Sequence, residues 1–283
     1  MEQLTQQLAL VSEVPNISPS RLAKASAAFQ KQVMRDFRPL WNVLATVDAF
    51  PALEDVPIGY WPIIVRDDIG FSGAAGIHLD DGGQPFALVQ YSNTWTLTAS
   101  HEILEMIADP FGSRLLAGNS VKPGQGRVEY LVEVCDPSEA AAFSYRVNGV
   151  MVSDFYTLNY FDPLPAPGVR YSFTGAITQP RQVLKGGYLS WHDPVSNHWF
   201  QETFLSGSKP KFRDLGVLSA TGSLRSQIDR LTPVPEHLGK GLPASNQMVA
   251  AANASVESIE EATSSKAKFW RSQINALKKQ YRK

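Results

Sequence analysis

The sequence is informative first through what it lacks. Cysteine occurs once in 283 residues, at Cys135, so no disulfide can form within the chain. Neither sign of charge dominates, because 26 Lys and Arg residues are balanced by 27 Asp and Glu residues. This balance gives no electrostatic reason to expect binding to nucleic acid or to an anionic membrane. The composition therefore predicts a soluble globular protein.

Long apolar runs and targeting signals are also missing. No stretch has the length and apolar composition needed to span a bilayer. Residues 1–8 contain no basic region followed by an apolar core, so we expect no secretory signal peptide. These features predict a cytoplasmic protein, or one exported without an N-terminal signal. We find no Gly-rich phosphate loop, internal repeat or nucleic-acid motif either.

The stretch around His101 combines helical spacing with reactive side chains. Asn93 or Thr94 can cap a helix N-terminus and Pro110 cannot continue a helix, so about four turns are predicted between them. His101 and Glu105 are four residues apart and therefore project from one face, with Asp109 one turn farther along. This arrangement predicts a helix that carries a metal site.

The spacing is that of the HExxH zinc helix, with Glu105 at the second ligand position in place of His. In that motif the intervening Glu, here Glu102, acts as general base on a water. Imidazole and carboxylate both bind a divalent metal at roughly 2.0–2.2 Å, so the substitution is chemically allowed. The added negative charge should weaken the metal as a Lewis acid. The alternative is an amphipathic core helix on which His101 and Glu105 make an ordinary hydrogen bond at the surface.

The segments before this helix predict helices followed by strands. Residues 1–45 are predicted to be helical, because apolar residues recur at three- and four-residue spacing from 22 to 37. Short β-like runs follow at 43–50 and 58–66. Two more runs, 74–79 and 86–91, surround an Asp-Asp-Gly-Gly turn and predict a hairpin that leads directly into the His101 helix.

This order resembles the zincin superfamily of metallopeptidases, in which a small twisted sheet lies over the HExxH helix and an antiparallel edge strand borders the substrate cleft. The resemblance covers residues 42–110 and implies that 86–91 is the edge strand. It also implies that Glu133 is the third metal ligand and that Asp136 orients His101. The roles of Glu133 and Asp136 could be exchanged. Asp109 is a further candidate ligand, and the alternative for it is to close the last helical turn.

A second resemblance is to the plant phosphate-induced, exordium-like proteins. The shared features are the Ser-His-Glu-x-x-Glu helix that ends in Asp-Pro, at residues 100–110, and the later Glu-x-x-Asp at 133–136. Residues 148–160 match loosely, and Cys135 is displaced from its position in that pattern. This family supplies no settled chemistry, so the resemblance supports the site more than an activity.

Other reactive residues carry weaker functional interpretations. Cys135 could be a nucleophile, but its acidic neighbours should raise the pKa of the thiol, and a small buried apolar side chain is the simpler interpretation. By resemblance to Glu-type zincins, His192 or His198 could stabilise a developing oxyanion, and we select His198. A surface role on a hairpin is the alternative. His78 and His237 support no specific prediction.

We therefore predict an α+β, zincin-like fold with four parts: an N-terminal helical segment at 1–45, a zincin-like domain at 42–232, a linker at 233–249 and a C-terminal helix at 250–283. The predicted function is metal-dependent hydrolysis of a peptide or protein substrate, with zinc as the expected metal and manganese or iron left open. The alternative is a non-catalytic binding or assembly protein. The helix at 250–283 could pack on the domain, self-associate or bind a protein partner.

Overall fold

The computed structural model describes residues 5–71, 74–219 and 223–232, which all belong to one compact unit spanning Met1–Leu242. The chain is mixed α and β, with several sheets and few helices in the described ranges. The predicted linker at 233–249 and helix at 250–283 lie outside the described residues. No helix within the described residues is both long and apolar enough to cross a membrane.

The first sheet has five strands in the order β2-β1-β3-β5-β4. Strands β1, β2, β3 and β5 run parallel, and β4 pairs antiparallel with β5. The strands are β1 (Gln6–Ser12), β2 (Ala45–Ala49), β3 (Trp61–Arg66), β4 (Gly76–Asp81) and β5 (Gln84–Gln90). The strands predicted at 43–50, 58–66, 74–79 and 86–91 are therefore confirmed.

The prediction of helix throughout residues 1–45 is wrong at its start, because Gln6–Ser12 forms the parallel strand β1. Its apolar residues are consecutive and almost fully buried, which is typical of a strand covered on both faces. Helix begins only at Pro19, where the Ser18 side chain accepts a hydrogen bond from the Arg21 amide at 3.3 Å. The helical part consists of α1 (Pro19–Lys31), a π-helical turn (Gln32–Phe37) and α2 (Arg38–Trp41).

The predicted hairpin is confirmed, but the assignment of 86–91 as the edge strand is wrong. Strand β5 lies between β3 and β4, so β4 forms the antiparallel edge of the sheet. Gly82 and Gly83 both adopt positive φ and make the tight turn between the two strands. The edge was misplaced because the parallel pairing of β5 with β3 joins residues more than twenty positions apart, which local sequence pattern does not reveal.

The second sheet is antiparallel throughout, in the order β12-β11-β10-β7-β6. Its strands are β6 (Leu115–Asn119), β7 (Arg127–Leu131), β10 (Tyr188–Asp193), β11 (His198–Thr203) and β12 (Lys211–Gly216). A separate hairpin, β8 (Tyr145–Val147) and β9 (Val150–Val152), turns at Asn148 and Gly149, both with positive φ, as their sequence predicts.

Helix α3 (Trp95–Ala108) lies at the centre of the core, packed against β4 and β5 on one side and β9 on the other. Eleven of its fourteen residues are buried, so the helix is enclosed on most of its surface. A short helix, α4 (Leu224–Leu231), packs through Ile228 on a small separate cluster with Leu131 and Trp199. This second cluster brings α4 against the loop that follows β7.

Candidate metal centre

Three polar residues of α3 are buried together. His101, Glu102 and Glu105 are 8%, 3% and 0% exposed, in a helix whose other buried residues are almost all apolar. Burying carboxylates without partners is strongly unfavourable, so a functional or compensating reason is required. The alternative prediction of a surface hydrogen bond between His101 and Glu105 does not describe this arrangement.

The His101 imidazole faces two carboxylates through one nitrogen. Its Nε2 lies 3.1 Å from Glu105 Oε2 and 3.3 Å from Asp136 Oδ1. A carboxylate that only orients a metal-binding imidazole contacts the nitrogen that does not face the metal. Because Asp136 faces the same nitrogen as Glu105, it is placed as a possible ligand as much as an orienting residue.

The segment after β7 carries Glu133 and Asp136 and brings both residues to helix α3. Glu105, Glu133 and Asp136 each offer an oxygen atom within 4.8 Å of the others. The Cys135 amide donates a hydrogen bond to Glu105 Oε1 at 3.1 Å, which fixes this loop against α3. Residues separated by about thirty positions in the sequence therefore converge, as the predicted ligand set requires.

Glu102 faces the edge strand of the first sheet. Its Oε2 has no hydrogen-bond partner among the described residues and lies 3.6 Å from Nδ1 of His78 on β4. The other ring nitrogen of His78, Nε2, donates to the Asp109 carbonyl at 3.1 Å, because a carbonyl can only accept. Glu102 is therefore a buried carboxylate held beside an edge strand with one oxygen unpaired.

Arg225 of α4 is the residue that the sequence analysis missed. Its side chain is 4% exposed, and its Nη1 contacts Glu105 Oε2 and Glu133 Oε2 directly. Its Nη2 lies 3.7 Å from Glu102 Oε2, and its Nε lies 3.2 Å from Asp229 Oδ2. The spacing of Arg225 and Asp229 could have suggested a helical ion pair, but nothing local indicates a contact with residues about a hundred positions earlier.

The cluster brings together more acidic than basic side chains. One guanidinium faces Glu102, Glu105 and Glu133, with Asp136 next to them. Among the described residues, Oε2 of Glu102 and Oε1 of Glu133 are buried without a hydrogen-bond partner. Buried anions in this number need further cations or protons to be stable. The donor set of one imidazole and several carboxylates fits a divalent cation.

Burial and the neighbouring charges shift the pKa values of His101, Glu105 and Glu133. Burial alone would lower the pKa of His101, but Glu105 and Asp136 outweigh it and hold the pKa well above its ordinary value. Burial would raise the pKa of Glu105, but Arg225 and His101 hold it well below its usual range. Burial and the neighbouring carboxylates raise the pKa of Glu133 despite Arg225. Glu105 is therefore ionised, whereas His101 and Glu133 tend to hold protons, and a metal would have to displace both protons.

We expect the metal-free protein to lose stability as the pH rises from about 5 to about 8. Burial raises the pKa of Asp136 from 3.8 to about 6 and that of Glu139 from 4.5 to about 8. The folded state therefore holds protons that the unfolded state releases, and this stabilisation disappears as the pH passes through the folded values. Urea unfolding with a chelator present should show a fall of roughly 1–3 kcal/mol. Glu139→Gln should reduce the slope, and stability that rises with pH would refute the account.

Gly76 of β4 has no side chain, and Glu102 occupies the space where a side chain would lie. A Cβ at this position of β4 would lie 2.6 Å from Glu102 Oε1 and 2.6 Å from Thr98 Cγ2. We expect Gly76→Ala to lower the free energy of unfolding by roughly 1–3 kcal/mol, because the edge strand or Glu102 must move. Gly126→Ala is the matched control, since a Cβ there meets nothing within 4 Å. Equal urea midpoints for the two variants would show that β4 does not press on Glu102.

The remaining predicted residues lie in other settings. Asp109 Oδ2 accepts the Arg114 amide at 2.7 Å, so this side chain closes the turn after α3. His198 lies at the start of β11, 41% exposed, with its Nδ1 3.0 Å from Asp214. His192 contacts Glu129 and Asn197.

Burial and Glu105 raise the pKa of the Cys135 thiol well above its ordinary value, which makes the thiol a poor nucleophile. His237 lies outside the described residues.

Comparisons of this chain with protein-family models, with curated proteins and with solved structures found no match.

Proposed function

We propose that this protein is a metal-dependent hydrolase of peptide or similar amide bonds on a zincin-like scaffold. His101 and Glu105 would bind a divalent metal, most simply zinc, together with Glu133, Asp136 or both. The observation that carries the proposal is the convergence of an imidazole and several carboxylates, with unpaired buried oxygens, beside a sheet edge. Carboxyl groups buried together in this number are costly unless cations or protons neutralise them, and a divalent metal would do so.

Each residue has a defined task in the proposed reaction. When bound, the metal would polarise the scissile carbonyl and lower the pKa of a water. Glu102 would accept a proton from the attacking water and deliver it to the leaving amine, since its Oε2 accepts no hydrogen bond from the described residues and it lies next to the ligands on α3. His78 and Gly76 hold Glu102 against β4. An extended substrate could pair with the backbone of β4, the edge strand.

The fold supports the resemblance to zincins at the level of topology. A small sheet with one antiparallel edge strand precedes and covers the helix that carries His101 and Glu105. The acidic segment at 133–136 returns to that helix. By that resemblance, the antiparallel edge strand β4 would border the substrate cleft.

A second candidate function is a binding or assembly protein in which Arg225 permanently replaces the metal. The contacts of its guanidinium with Glu105 and Glu133 favour this alternative. A fixed ion-pair network of this kind would make the cluster structural. Such a protein would need neither zinc nor Glu102 for its role.

Metal content tests the proposed function. Protein purified without chelator and dialysed against excess zinc, then freed of unbound metal, should retain about one zinc per chain. His101→Ala and Glu105→Ala should each abolish retention, whereas His198→Ala should retain zinc as wild type does, because its ring contacts Asp214 instead. The measurement is inductively coupled plasma mass spectrometry. Absence of zinc from the wild type and from the Arg225 variant described below would refute the proposed function.

A further inference from the structure

Arg225 contacts the same atoms that a metal would use. Its Nη1 contacts Oε2 of Glu105 and Oε2 of Glu133, and Glu105 Oε2 is also the atom that faces His101 Nε2. A guanidinium donates hydrogen bonds into carboxylate lone pairs, and a metal ligates through those lone pairs. Two cations at these oxygens would also repel each other in a poorly screened interior. Contact with Arg225 and ligation of a metal therefore exclude each other at this site.

The helix that carries Arg225 packs outside the main core. Two hydrogen bonds hold its end, from Arg213 Nη2 to the Leu231 carbonyl and from Gln201 Nε2 to Thr232 Oγ1, each 2.8 Å long. Ile228 is its only fully buried apolar residue, and it packs in the small cluster with Leu131 and Trp199, apart from the main core. Its first turn is held at Gly112, whose carbonyl accepts the Arg225 amide at 3.0 Å. Eight residues are too few for a helix to be stable alone in water. Helix α4 can therefore leave its place without dismantling the main core.

The fit of α4 depends on the absence of a side chain at Gly112. A Cβ there would lie 2.5 Å from Ser223 Oγ and 2.9 Å from Arg225 Cβ. Gly112 also has positive φ, at 56°. The start of α4 therefore packs directly on the turn after α3. This close approach places the guanidinium among the carboxylates.

We propose that Arg225 is an internal competitor of the metal and that the segment Ser223–Thr232 keeps the site closed until a divalent cation displaces it. This inference rests on the proposed function, because it assumes that the carboxylates bind a metal. The site has two alternative ligands, the guanidinium of its own chain and a divalent cation. Uptake of the cation requires α4 to lift from Gly112 and from the cluster around Ile228.

Zinc affinity tests the competition directly, with the full chain and a chromophoric chelator as competitor. Arg225→Met removes the guanidinium and keeps an unbranched side chain, and Gly112→Ala obstructs docking of α4 while leaving Arg225 in place. Both variants should bind zinc more tightly than wild type by roughly 5- to 150-fold. Arg230→Met is the control on the exposed face of α4, and Gly124→Ala is the control for positive φ with open space around it. Both controls should match the wild type.

Hydrogen–deuterium exchange of the wild type supplies a test that needs no variant. Added zinc should speed the exchange of amides at 223–232 and slow it in α3. If the wild type binds zinc through Glu105, but neither variant binds it more tightly and exchange at 223–232 does not change, the competition is wrong and the metal site stands. If neither the wild type nor the two variants bind zinc, the proposed function itself is wrong.

Discussion

Replacement of Glu102 by Gln should lower peptide hydrolysis by roughly 10²–10⁴-fold while leaving bound zinc unchanged. An amide has nearly the shape of a carboxylate but cannot accept the proton of an attacking water. Glu102 is suited to this step because it is buried, has an unpaired oxygen and lies between the ligands of α3 and the edge strand β4. The assay is cleavage of a mixed peptide library, read by mass spectrometry, with zinc-loaded protein that also carries Arg225→Met.

Glu54→Gln is the matched control, because Glu54 is an exposed carboxylate in a short turn remote in sequence from the site. It should leave hydrolysis unchanged. Full activity after Glu102→Gln would remove Glu102 from the mechanism. Loss of zinc together with activity would instead make Glu102 a ligand, as its grouping with His78 and Glu105 also allows geometrically.

Arg225→Met should destabilise the metal-free protein by roughly 3–5 kcal/mol, because it leaves Glu105 and Glu133 buried without their cation. Zinc should restore much of this loss, since a cation that binds only the folded state adds about 4 kcal/mol at a thousand times its dissociation constant. Urea unfolding with chelator and with zinc measures both effects. The stabilisation by zinc should be larger for Arg225→Met than for wild type.

Arg230→Met serves as the control, because Arg230 is on the same helix and exposed. Its unfolding free energy should stay within about 0.5 kcal/mol of the wild type in both conditions. A destabilised Arg225→Met protein that zinc does not rescue would favour the structural alternative, in which the arginine replaces the metal permanently.

The parts of the fold with strong local signals could be predicted from the sequence. Helix α3 begins after Thr94 and ends before Pro110, as predicted, although the Thr94 side chain makes no capping hydrogen bond. The Gly82–Gly83 and Asn148–Gly149 turns form hairpins because their residues tolerate positive φ. The convergence of His101 and Glu105 follows from helical periodicity alone.

The errors concern features set by distant parts of the chain. Strand β1 was taken for helix because a buried parallel strand lacks the alternation that marks a half-exposed one. Which strand forms the edge depends on the pairing of β3 with β5. Arg225 reaches Glu133 and Glu105 across 92 and 120 residues, so no local pattern could place it in the site.

Anomalous diffraction at the zinc edge, from crystals of zinc-loaded Arg225→Met protein, tests the central claim most directly. The account predicts one strong peak among His101, Glu105 and the carboxylates of Glu133 and Asp136, with ligand distances of roughly 2.0–2.2 Å. A peak confined to surface histidines such as His192 or His198, or no peak at all, would show that this cluster is not a metal centre.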